Sequence, residues 1–93
     1  MGTERTIPEQ LLDLFDQGHR ICTDSRKIKE GDLYFALKGE RFDGNDYAMR
    51  ALEAGAKLAI VDSPSLVQNQ SFFHVPDVLK ALQDLAREHR RRL

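Results

Sequence analysis

Residues 32–61, DLYFALKGERFDGNDYAMRALEAGAKLAIV, decide the fold. Leu33-Tyr34-Phe35-Ala36-Leu37 is apolar at successive positions, the pattern of a strand covered on both faces rather than one with a wet side. Lys57 to Val61 is nearly all apolar again. Between them a polar loop, Lys38 to Gly44, gives way to Tyr47, Ala48, Ala51 and Leu52 at helical spacing. Asp43, Asn45 or Asp46 is placed to cap a helix of about ten residues there, and Gly55 to close it. Strand, helix and strand in that order predict a parallel pair joined by a right-handed crossover.

Working outward toward the N-terminus, Lys29-Glu30-Gly31-Asp32 is a turn signal, and residues 20–23 read as a short strand around Ile21-Cys22. Before it, Thr6-Ile7-Pro8-Glu9 has the spacing of a capping box and opens a helix to about Gln17, with Leu11, Leu12, Leu14 and Phe15 on one face and Gly18 as the stop. On the other side, Asp62 to Ser71 is a polar loop and Phe72 to Val75 a fourth strand. Pro76-Asp77 then opens a last helix, in which Val78, Leu79, Leu82, Leu85 and Ala86 recur at i, i+3, i+4, i+7 and i+8. The expected fold is α/β: a small mixed, largely parallel sheet of about four strands with helices on both faces, in one domain spanning residues 1–93.

The 93 residues carry 41% hydrophobic and 31% charged side chains, an ordinary balance for a globular chain. The net charge of −1 gives no electrostatic case for nucleic acid. The basic run Arg87 to Arg92 ends a helix, where cations complement the helix dipole. The apolar runs are far shorter than the roughly 20 residues needed to span a bilayer, and Met1-Gly2-Thr3-Glu4 lacks the form of a secretory signal. With Cys22 as the single cysteine, the expectation is a cytoplasmic chain without disulfide or membrane insertion, and a monomer.

The chemistry-bearing residues concentrate in two loops that leave the ends of the first two strands. Thr23, Asp24, Ser25 and Arg26 make the first; Lys38, Gly39, Glu40, Arg41, Phe42, Asp43, Gly44 and Asn45 make the second. If the strands lie side by side, these loops form a cleft at the rim of the sheet, where open α/β sheets hold ligands. Hydroxyls, three cations, and glycines that admit close approach to backbone N–H groups suit a phosphate or diphosphate. The start of the following helix would add its dipole, and the Asn45 amide matches the edge of a uracil or similar base. The alternative is structural: an Asx turn at Asp24-Ser25, a cap at Asp43, and solvated charges bridging to Glu30 or Glu40.

Other candidates are weaker. His19, His74 and His89 have no partner at metal or triad spacing, and Cys22 reads as a small core residue. No paired carboxylates suit acid–base work, and neither G-x-x-x-x-G-K-[ST] nor G-x-G-x-x-G occurs. The residues describe a binding module without catalytic or metal-ligating groups of its own. A protein-interaction module using the same cleft is an alternative, and a Cys22-dependent hydrolase would need a histidine within reach of an exposed thiol.

The run TDSRKIKEGDLYFALKGERFDGNDYAMRALEAGAKLAIVD, with VPDVLKALQDLAREHR after it, resembles the N-terminal domain of the Mur ligases, ATP-dependent peptide ligases of peptidoglycan precursor synthesis. The wording ALKGERFDG most resembles the ligases that add D-alanyl-D-alanine to UDP-N-acetylmuramoyl-tripeptide, and next those acting one step earlier. The resemblance implies that Asp24, Ser25, Arg26 and the Lys38 to Gly44 loop contact the uridine, ribose or diphosphate of a UDP-N-acetylmuramoyl-peptide. Where many members have histidine after the D-G pair, this chain has Asn45. The resemblance also implies that ATP and Mg2+ belong to central and C-terminal domains outside this chain. This part would supply binding and orientation, the parent enzyme the ligation.

Overall fold

The computed structural model describes residues 9–40 and 43–91. Helix α1 is Glu9–Asp16, strand β1 Ile21–Cys22, β2 Leu33–Phe35, helix α2 Ala48–Glu53, β3 Leu58–Val61, β4 Phe72–His74 and helix α3 Val78–Arg91. The expected capping box at Thr6 to Pro8 lies outside the described residues. Short 3-10 turns at Ser25–Lys27, Gly44–Tyr47 and Pro64–Leu66 occupy the three connections between strands.

The four strands form one sheet in chain order, β1-β2-β3-β4, and each neighbouring pair is parallel. The mixed sheet allowed for in the sequence therefore resolves to a wholly parallel one. Leu33 faces Leu58 across the central pair, Tyr34 faces Ala59, and Phe35 faces Ile60. Alternation then sends the two sets to opposite sides.

Leu33, Phe35, Leu58 and Ile60 pack with Leu11 and Leu12 of α1 and with Val78, Ala81 and Leu85 of α3. Tyr34, Ala59 and Val61 pack on the other side with Ala48 and Ala51 of α2, and with Ile28 and Leu66 from the remaining connections. Every residue of β2 and β3 is buried, as the unbroken apolar runs require.

The turn before β2 is fixed by charge. Arg20 donates from Nε and Nη2 to the two carboxylate oxygens of Asp32 at 3.1 and 2.6 Å, and from Nη2 to the Lys27 carbonyl at 3.0 Å. Asp32 also accepts the Lys29 N–H at 2.8 Å and is almost fully buried. The Arg20 hydrogen bonds hold its carboxyl below the ordinary range. His19 donates from Nδ1 to the Gly31 carbonyl at 2.7 Å, and His89 meets the Phe15 ring edge-on at 4.7 Å between centroids, joining α3 to α1. Both histidines are structural.

Phe35 has no exposed surface. Phe35→Ala should therefore cost about 3–5 kcal/mol, the range for truncating a buried aromatic, read as a lowered midpoint in denaturant unfolding.

Candidate functional site

The chain leaves β1 through Thr23 and turns at once. Asp24 caps the 3-10 turn by accepting the Arg26 N–H at 2.9 Å, and the Arg26 guanidinium returns to both of its oxygens at 3.1 and 3.0 Å. The side-chain bond from Arg26 holds the Asp24 carboxyl down to about 2, with the Arg26 N–H adding to the effect. Ser25 is buried, and its hydroxyl has no hydrogen-bond partner among the described residues. Thr23, Asp24, Ser25 and Arg26, with Tyr47 and Arg50 from the β2–β3 connection, line a pocket of about 620 Å³.

The second loop is built differently. Asp43 pairs with Lys38 across an antiparallel bridge and caps the Gly44–Tyr47 turn by accepting the Asn45 N–H at 2.9 Å. The Gly44 N–H donates to the Leu37 carbonyl at 2.7 Å and its carbonyl accepts from the Tyr34 hydroxyl at 2.9 Å. A Cβ on Gly44 would lie 2.7 Å from that carbonyl and 2.8 Å from Ala36 backbone atoms. Gly44 is therefore glycine so that the loop can lie against the end of β2. Its N–H is used inside the protein, not offered to a ligand as the sequence suggested.

Asn45 is likewise committed. Its Nδ2 donates to Asp43 at 2.7 Å and to Asp62 at 2.9 Å, and its Oδ1 accepts the Asp62 N–H at 3.3 Å. The residue is 6% exposed, so the amide edge expected to face a base is turned into the fold. Lys38 stands 3.6 Å from the same Asp62 carboxylate. Lys38, Asp43 and Asn45 line a second pocket, of about 450 Å³, with Ser63 and Ser65 beyond β3. Gly39 and Glu40 are exposed, and the expectations for Arg41 and Phe42 fall outside the described residues.

The structure thus divides what the sequence gathered into one cleft. Residues 23–26 open on one pocket and Lys38, Asp43 and Asn45 on another, with the Gly44–Tyr47 turn between them. The cause is topological: strands in chain order have no reversal, hence no crevice between neighbouring carboxyl ends. The expected ten-residue helix is also divided, into the Gly44–Tyr47 turn and the six-residue α2, too short to present a strong dipole. A third cavity, of about 730 Å³, is lined by Glu9, Asp13, Lys57 and Ser71 among others and lies at the amino ends of β3 and β4, away from both loops.

Two lining residues were not legible as functional. Tyr47 has the helical spacing of a core aromatic and Arg50 carries no sequence signal of its own; their separation of three positions puts them on one helical face. The Arg50 guanidinium lies 5.7 Å from the centre of the Tyr47 ring, within cation–π distance.

Chemically, the first pocket combines a free hydroxyl, two guanidinium groups and an aromatic ring. No helix is long and apolar enough to cross a membrane, and no group of three His, Cys, Asp or Glu could hold a metal ion, among the described residues. The sequence also carries no G-x-x-x-x-G-K-[ST] stretch.

Comparison with known proteins agrees with this architecture. The profile of the Mur ligase family, catalytic domain, matches residues 17–90. The UDP-N-acetylmuramoyl-tripeptide--D-alanyl-D-alanine ligase of Synechocystis is 42% identical over 76 residues, which cover 80% of this chain and 17% of that protein. The UDP-N-acetylmuramoyl-L-alanyl-D-glutamate--2,6-diaminopimelate ligase of Parasynechococcus marenigrum is 50% identical over 62 residues, covering 67% of this chain and 12% of that one. Among solved structures, the MurF ligase of Thermotoga maritima in complex with ADP superposes with a TM-score of 0.73 at 37% identity, over 82% of this chain and 17% of that one. The chain spans about a sixth of the length of such relatives.

Two outcomes follow from the loop geometry. Asn45→Ala leaves the Asp43 and Asp62 carboxylates without their shared donor and should cost about 1–3 kcal/mol in denaturant unfolding, with amide shifts concentrated in residues 37–46 and 61–63. The Asp24 carboxyl should titrate near 2 by carboxyl NMR and move back toward the ordinary range in Arg26→Gln. Because its folded value lies below its unfolded one, the stabilisation is present above the ordinary carboxylate range and is lost as pH falls through about 2.

Proposed function

The chain belongs to the Mur ligase family, and on that premise we propose that it acts as the N-terminal substrate-binding domain of a MurF-type ligase. It holds the UDP end of UDP-N-acetylmuramoyl-tripeptide while D-alanyl-D-alanine is joined to the peptide. ATP and Mg2+ act on the central and C-terminal domains of the parent enzyme, and the cytoplasm is the compartment in which those substrates meet.

The observation that carries this reading is the pocket at the carboxyl end of β1, lined by Ser25 and Arg26, with Tyr47 beside Arg50. A nucleoside diphosphate needs cations for its phosphates, hydroxyl or backbone donors for ribose, and an apolar surface for the base. The pocket supplies each. Asp43, Gly44 and Asn45 serve the same function indirectly, by fixing the β2–β3 connection that carries Tyr47 and Arg50.

Binding at this site contributes orientation: binding energy from a part of the substrate remote from the reacting carboxyl goes into positioning it. The chain itself performs no bond-making step in this reading. The 50% identity to a diaminopimelate ligase supports a second one, a MurE-type parent whose UDP end would be held in the same way. A protein-docking role gains less support, because the two rim pockets are lined largely by polar and charged groups.

The test is an NMR titration of the labelled chain with UDP, UDP-N-acetylmuramic acid and AMP. Shifts at residues 23–26, 47 and 50 with the uridine nucleotides and not with AMP are expected. Equal shifts with all three would replace uridine recognition by general phosphate binding, and an absence of shifts at millimolar ligand would refute the site on this chain.

A further inference from the structure

Three charged side chains line the first pocket, Asp24, Arg26 and Arg50. Two of them satisfy each other. Arg26 donates two side-chain hydrogen bonds to Asp24, and that bidentate pair is close to neutral as seen by an incoming anion. Arg50 has no carboxylate partner among the described residues, and its guanidinium lies over the face of Tyr47. An aromatic face holds a guanidinium in place without neutralising it. The pocket's net positive charge therefore resides on Arg50, even though the sequence directs attention to Arg26.

From this we infer that Arg50 is the residue that recognises the phosphate-bearing end of the ligand, with Tyr47 as the platform that orients its guanidinium. The inference rests on the UDP-binding reading and assigns the work within that site. Geometry supports the assignment. Arg50 sits in the second turn after Gly44, and the connection carrying it is pinned to β2 through Gly44 and to the end of β3 through Asn45 and Asp62. Its starting point is fixed, and the planar fork of a guanidinium matches two phosphate oxygens at once. Arg26, by contrast, must give up part of its hold on Asp24 before it can bind an anion in the same way.

The experiment compares the 93-residue chain with Arg50→Gln, Arg50→Lys and, as a control at the opposite end of the sheet, Lys57→Gln. The probes are UDP, uridine and inorganic pyrophosphate, followed by amide shifts at two salt concentrations. Arg50→Gln should weaken UDP and pyrophosphate about tenfold or more, the equivalent of one charge-assisted contact, and leave uridine unchanged. Arg50→Lys should recover part of the loss, and Lys57→Gln should match the parent chain. The salt dependence of UDP binding should flatten in Arg50→Gln.

Unchanged UDP affinity in Arg50→Gln overturns the inference while leaving the UDP-binding reading standing. An equal loss for UDP and uridine also overturns it, because Arg50 would then act only by packing on Tyr47. Pyrophosphate shifts at residues 23–26, 47 and 50 that vanish in Arg50→Gln, in a chain that ignores uridine, uphold Arg50 and sink the uridine reading. Silence with every probe sinks both.

Discussion

The handedness of parallel connections is the constraint on which the rest of this structure depends. A right-handed crossover between parallel strands places its connecting segment on one particular face of the sheet, and a sheet whose strands follow chain order takes every step in the same direction. All three connections must then lie on one side. The packing agrees: Ile28, Leu52 and Leu66, one from each connection, join the core that also holds Tyr34 and Val61. The opposite face must be covered by other elements. Helices α1 and α3 do so, and their contact with each other closes that side.

The same constraint decides where polar chemistry collects. With the body of each connection laid over one face, its first residues lie at the carboxyl ends of the strands, and those ends carry Thr23–Arg26, Lys38 with Asp43–Asn45, and Asp62–Ser65. Buried polar groups in such a rim must be satisfied or they destabilise the fold. Asn45 meets that demand by serving two carboxylates and one backbone N–H, and no described side-chain nitrogen or oxygen atom that is itself shut off from solvent is left without a partner. Two groups with hydrogen-bonding capacity to spare, the Ser25 hydroxyl and the Arg50 guanidinium, belong to residues that line one pocket.

Legibility in the sequence followed the range of the interactions. The double-sided apolar runs at Leu33–Phe35 and Leu58–Val61 and the i, i+3, i+4 pattern of Val78 to Leu85 report burial directly, so β2, β3 and α3 were readable to within a few residues. The Asx-type turn at Asp24 and the cap at Asp43 were readable because both act over two positions. Asn45 was not, because the partner that settles its role, Asp62, is 17 positions away. Nor was Gly44, whose missing side chain answers the backbone of Ala36 and Leu37 rather than a local turn. Arg50 was missed for a related reason: a helix cation carries a signal only when the ring beneath it is known to line a pocket.

The covering of the sheet by α3 has a consequence for how the chain comes into being. Synthesis proceeds from the N-terminus, so the strands and the connections over one face leave the ribosome before Val78–Arg91 does. Until α3 emerges, α1 is the described helix that packs against Leu33, Phe35, Leu58 and Ile60. The nascent sheet therefore presents a sticky, half-dressed surface until Val78–Arg91 has left the ribosome, and closure of this face is timed by the arrival of α3.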